Sequence, residues 1–154
     1  MIRGLQTIVG KNADASCTAD EAMKRGMGVQ KVAGEAVFPA AKTCSNIFFV
    51  AKETIPTGLL SIQGELSEYT ADFENIAEGE PVVLIKPMVG ERYATDQFGA
   101  LAKPVATNYL MVDDDGLFIT AVQNDVSTFY CEGNYDDAGH ACIKFEVVEP
   151  HTVV

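Results

Sequence analysis

Tryptophan is absent from this 154-residue chain, and histidine occurs only twice, at His140 and His151. Nucleophilic catalysis needs a Ser, Thr or Cys beside a base that is itself oriented, and His151 falls in a C-terminal tail, so little remains for a triad. No Gly-x-Ser-x-Gly elbow occurs, and Gly26-Met27-Gly28 is too short to cradle a phosphate. No apolar run approaches the roughly 18 residues of a spanning helix. The opening Met1-Ile2-Arg3-Gly4-Leu5-Gln6 lacks the apolar core of a secretion signal, so the chain is expected to remain where it is made. Cysteine is sparse: Cys17, Cys44, Cys131 and Cys142 form no CxxC pair, and free, buried thiols are expected in a reducing compartment. Cys131 and Cys142 flank one hairpin, which leaves a bridge between them as the minor alternative. With His140 and His151 they match no common zinc spacing, so neither a metal nor a cofactor is expected.

Bases are scarce as well, 11 Lys and Arg against 22 Asp and Glu, for a net charge of −11. Binders of nucleic acid and of anionic membranes neutralise phosphates with Lys and Arg, so the balance argues against both partners. The charge is uneven. Residues 1–64 hold seven bases and five acids, whereas residues 65–154 hold four bases and seventeen acids. A solvated acidic face that aids solubility accounts for this; the sharper reading is that the basic N-terminal region docks on an acidic surface. The cationic and polar–aromatic positions Arg3, Lys11, Lys24, Arg25 and Arg92 are the candidate partner-binding residues.

What the chain does have is apolar content, 47%, with 21% charged residues, enough for a core and against wholesale disorder. Its length fits one domain, read as an arm over residues 1–17 and a β-rich body over 18–154. Short runs rich in Val, Ile, Phe and Tyr, broken by turn residues, suit strands: Val29–Val32, Glu35–Phe38, Ile47–Lys52, Leu59–Gln63, Pro81–Ile85, Tyr109–Val112, Leu117–Val122, Thr128–Cys131 and Cys142–Val148. Thr18 to Gly26 instead reads as a short helix, with Thr18 as cap, Glu21 as capping-box partner and Gly26 as terminator. The fold class predicted is all-β, an antiparallel barrel or sandwich, with one short N-terminal α-helix.

Two hairpins carry a mechanism. Asp113-Asp114-Asp115-Gly116 separates two apolar runs, and Gly116 can take positive φ cheaply. The second joins Ser127–Cys131 to His140–Val148 through a polar loop. The acidic triplet does not fit an EF-hand, because a loop with Gly116 sixth would begin at Met111 and end at Val122, neither an oxygen ligand. Gly64–Glu80 carries six acids and no base, with apolar residues three or four apart, compatible with a helical turn or a loop. In Gly90–Phe98, Arg92 has Glu91 and Asp96 as neighbours for an ion pair that orders a loop, or a contact surface. Phe48–Phe49 reads as sheet filling.

Ala36-Val37-Phe38-Pro39, the segment Asn46–Glu53, Gly79–Ile85 and Gly90–Phe98 together resemble small structural proteins of the head modules of tailed bacteriophages. The similarity spans roughly residues 28–150 and is one of texture and order. It implies a capsid decoration or cement protein: no active site, the major capsid protein as partner, self-association such as a trimer, and the outer capsid surface of a virion assembled in the host cytoplasm. A shell under internal pressure gains stability from anything that binds only its assembled state. The alternatives are a tail or head–tail connector component, and a small-ligand or carbohydrate-binding β module, against which the missing Trp counts.

Overall fold

The computed structural model describes residues 1–8, 13–51, 74–99 and 103–154. Strands β1 (Ile2–Gln6), β2 (Ala13–Ala19), β3 (Met23–Lys24), β4 (Gly28–Val32), β5 (Glu35–Val37) and β6 (Phe48–Ala51) form the N-terminal part. They are followed by β7 (Asn75–Ile76), β8 (Pro81–Ile85), β9 (Arg92–Thr95), β10 (Tyr109–Val112), β11 (Phe118–Thr120), β12 (Val126–Asp137) and β13 (His140–Thr152). Five strands close a barrel in the order β2-β5-β4-β6-β8, and six form a sheet in the order β1-β9-β13-β12-β10-β11. β3 and β7 make a small ribbon of their own. Among the described residues every strand-to-strand ladder is antiparallel except β2 with β5, and one isolated parallel bridge joins Phe98 to Phe118.

The barrel strands alternate as the pleat requires. In β8, Val82 and Leu84 turn into the barrel with Cys17, Val29, Ala36 and Val50, while Val83 and Ile85 turn outward. Pro81 sits at the first position of the strand, where a missing N–H is tolerated. The second core lies against the inner face of the six-stranded sheet. There Phe118, Phe129 and Phe145 from the sheet surround Phe49 from the barrel, with ring centroids 5.7–5.8 Å away. Tyr93 closes the cluster edge-on to Phe49 at 4.9 Å.

The expected N-terminal helix over Thr18–Gly26 does not form. Thr18 and Ala19 pair with Glu35 and Ala36 of β5, and Thr18 also pairs with Pro81 of β8. Their amides donate to Gly34 O and Glu80 O, and the amides that would close a helical ladder go elsewhere, Arg25 to Glu74 O and Gly26 to Val50 O. Cys17 and Ala19, two apart and both buried, fill the barrel; a nine-residue helix is marginal in isolation, and the barrel wall outcompetes it. Gly26 does take a positive φ, +98°, but it closes a turn between β3 and β4.

Other boundaries moved. Residues 1–17, expected as an arm, hold β1 paired with β9, and all of β2 but its last two residues. Gly90–Phe98, read as a loop or contact surface, contains β9, which lies between β1 and β13. The polar loop after Cys131 is strand as far as Asp137, and the turn is Ala138-Gly139 alone, both at positive φ. Ala33-Gly34, between β4 and β5, repeats that geometry, the two-residue hairpin whose twist suits the flanking strands. Gly116 has φ +75° as expected of it. The expected strand Leu59–Gln63 and most of the acidic segment Gly64–Glu80 lie outside the described residues.

Candidate functional site

Two places present side chains in an arrangement that binding would use. The first is the outer face of the six-stranded sheet. Leu110, Phe129, Phe145 and Tyr93 point into the core, so alternation turns their neighbours outward. Register then sets Tyr109, Tyr130, Glu146, Arg92 and Gln6 side by side in one row across β10, β12, β13, β9 and β1. The rings of Tyr109 and Tyr130 meet edge to face at 5.4 Å, and His151 stacks on Tyr109 at 4.5 Å. Arg92 donates Nη2 to Glu146 at 3.4 Å and approaches Glu132 through Nε at 3.2 Å. At the Tyr109 end, Val122 and Val126 are exposed.

The ion pair expected between Arg92 and Glu91 or Asp96 is therefore replaced. Glu91 and Tyr93 share the face opposite Arg92, and Asp96 receives the Met1 ammonium and the Gln97 amide.

The second place is a cleft of about 290 Å³ where the sheet meets the barrel. β1 and β9 supply Ile2, Gly4 and Tyr93, the ends of β6 and β8 supply Ala51 and Ile85, and the connections supply Thr7, Ile8, Arg25, Lys86, Met88 and Glu91. Glu91 is only 5% exposed. Its carboxylate accepts hydrogen bonds from the Tyr93 hydroxyl at 2.6 Å and from the amides of Ile8 and Met88, each at 2.9 Å. Burial pushes the Glu91 carboxyl up, but these three donors together outweigh it and hold the group below the usual carboxylate value. The Tyr93 hydroxyl is raised by burial and by the Glu91 carboxylate it faces. Arg25 follows β3, its amide bonded to Glu74 O at 2.8 Å. Nε and Nη1 of its guanidinium are buried without a hydrogen-bond partner. Lys86 is turned to Asn46 Oδ1 at 3.1 Å and lies over the Phe48 ring.

The sequence-predicted cations are thus dispersed. Arg25 lines the cleft, Arg92 stands in the outer row, Lys24 is exposed on the β3 ribbon, and Arg3 reaches Asp137 at 2.9 Å. Lys11 lies outside the described residues. Glu91 and Tyr93 went unrecognised, although their spacing of two was the signal of a shared strand face.

The carboxylates of Asp113, Asp114 and Asp115 lie within 4.8 Å of one another at the hairpin turn. Asp113 Oδ1 accepts the amides of Asp115 at 3.1 Å and Leu117 at 2.8 Å, which builds the turn; burial raises its carboxyl, with Asp115 and Asp114 adding to that. All four cysteines are free thiols. Cys131 faces Phe145 and Cys142 faces Tyr135, so register keeps them apart. Burial raises the thiols of Cys17 and Cys131. Among the described residues no helix is long and apolar enough to cross a membrane. Compared with family models, curated proteins and solved structures, the chain has no match in any of the three.

Proposed function

We infer that this chain is a non-catalytic virion component of the head-decoration kind, which binds the major capsid protein and stiffens the assembled shell. The observation that carries this reading is the outer row of the six-stranded sheet. Tyr109 and Tyr130 stand side by side there and Arg92 lies beyond Glu146 in the same row, with His151 stacked on Tyr109 and exposed Val122 and Val126 at one end. Tyrosine and arginine are the residues that carry binding energy at protein interfaces, and cross-strand pairing presents them without ordering cost. A sugar platform needs an open ring face, whereas His151 occupies one face of Tyr109, so a protein partner suits the row better. The paired β-layers behind the row give a stiff backing, as a cementing protein requires. The resemblance in the sequence names the capsid as that partner.

The test is add-back of purified chain to heads of the phage that encodes it, with occupancy read by cryo-electron microscopy and quantitative mass spectrometry. Stoichiometric binding to heads, reduced roughly tenfold or more by Tyr109→Ala or Arg92→Ala, is the expected result. Particles that carry the chain only on tails, or not at all, overturn the reading.

A further inference from the structure

We propose that the cleft between sheet and barrel binds a small monocarboxylate with an apolar body, its carboxylate taken by Arg25. This does not rest on the capsid reading. Among the described residues Arg3 and Arg92 are each paired with carboxylates, while Nε and Nη1 of Arg25 have no hydrogen-bond partner. An arginine that lines a cleft and keeps unpaired guanidinium nitrogens is a cation whose partner comes from outside. The acid in the same cleft does not supply it, because Glu91 already accepts three hydrogen bonds. Nor is Lys86 a rival site, since its ammonium is engaged by Asn46 and the Phe48 ring. The charge left uncompensated in the cleft is therefore positive.

The rest of the lining selects the body of the ligand. Ile2, Ala51, Ile85 and Met88 are apolar walls, contributed by both layers of the fold. A cavity of roughly 150 Å³ holds a benzene ring, so 290 Å³ accommodates on the order of ten non-hydrogen atoms. A single planar guanidinium with no helix terminus beside it matches a carboxylate, whereas a phosphate dianion calls for several donors. An eight-carbon carboxylate meets both the size and the charge.

The experiment titrates the full chain at pH 7 with sodium octanoate, and in parallel with 1-octanol, by calorimetry and by methyl NMR. Saturable one-to-one binding of octanoate is expected, with shifts at Ile85 and Met88, and roughly tenfold weaker binding of octanol for want of the charge-assisted hydrogen bonds. Arg25→Gln should reduce octanoate affinity to the octanol level, with its fold checked by far-ultraviolet circular dichroism. If that variant does not fold, the octanoate–octanol difference and the location of the shifts on the native chain decide. Absence of octanoate binding, equal binding of the two probes, shifts elsewhere, or octanoate binding unchanged in a folded Arg25→Gln chain each overturn the proposal.

Discussion

Phe49 and Val50 are consecutive residues of β6, both wholly buried, and they belong to different cores. Phe49 leaves the barrel to become the centre of the aromatic cluster under the sheet, and Val50 turns inward to pack with Val29, Val82 and Leu84. One strand thus serves as wall to two interiors. The alternation of β side chains makes this unavoidable once both faces of β6 are covered.

Removing Phe49 should therefore damage both layers at once. Phe49→Ala is expected to cost about 3–5 kcal/mol, and Val50→Ala about 1–3 kcal/mol, through lost burial and the cavity left behind. Urea unfolding followed by tyrosine fluorescence and far-ultraviolet circular dichroism should give coincident transitions in every folded variant. Separate transitions for the two probes would show that the cores unfold independently.

Gly26 and Gly34 both lie at positive φ, +98° and +92°, but in different surroundings. A Cβ on Gly26 would run into the Met1 carbonyl oxygen, while a Cβ on Gly34 meets nothing within 4 Å. Gly34→Ala should cost only the backbone strain, about 1–2 kcal/mol. Gly26→Ala adds a clash with backbone that cannot turn aside, so its urea midpoint should fall clearly further. Equal midpoints would contradict the packing described.

Ala138 and Ala33 hold φ of +54° and +52° at the first position of two-residue hairpins that end in Gly. Asparagine occupies this conformation with less strain. Ala138→Asn is expected to stabilise the chain by about 0.5–1 kcal/mol, measured as a rise in the urea midpoint at constant slope.

The Glu91–Tyr93 pair sets opposite pH limbs. The Glu91 carboxyl titrates lower in the folded chain than unfolded, so its stabilisation is complete above the unfolded value near ~4.3 and is lost as pH falls through the folded one. Tyr93 titrates higher when folded, so its contribution holds below the unfolded value near ~10 and is lost as pH rises past it. Glu91→Gln should flatten the acid limb of stability against pH, and Tyr93→Phe the alkaline limb. Unchanged limbs in stability measurements across pH would refute the assignment.

Cys17, Cys131 and Cys142 are buried, whereas Cys44 is half-exposed, its thiol donating to Val126 O at 2.7 Å. Native protein should release one equivalent of chromophore from a thiol-specific disulfide reagent, and urea-unfolded protein four. Cys44→Ser should abolish the native signal.

The β class was legible from the residues because strands such as Pro81–Ile85 and Tyr109–Val112 alternate or run apolar over strand length, and because Asp113–Gly116 can do little except turn. The acidic balance was equally plain. Tertiary structure decided what local pattern left degenerate. Thr18–Gly26 has the caps of a helix, yet Cys17 and Ala19 are worth more inside a closing barrel, where their backbone also finds partners. Arg92 had two acids beside it in sequence, but a strand sends neighbours to opposite faces, so it pairs with Glu146 and Glu132 across the sheet. The row from Tyr109 to Arg92 and the cleft around Arg25 both gather residues far apart in the chain. Propensity and spacing are local quantities, whereas register and closure depend on every strand together, and these placed the side chains that a partner would meet.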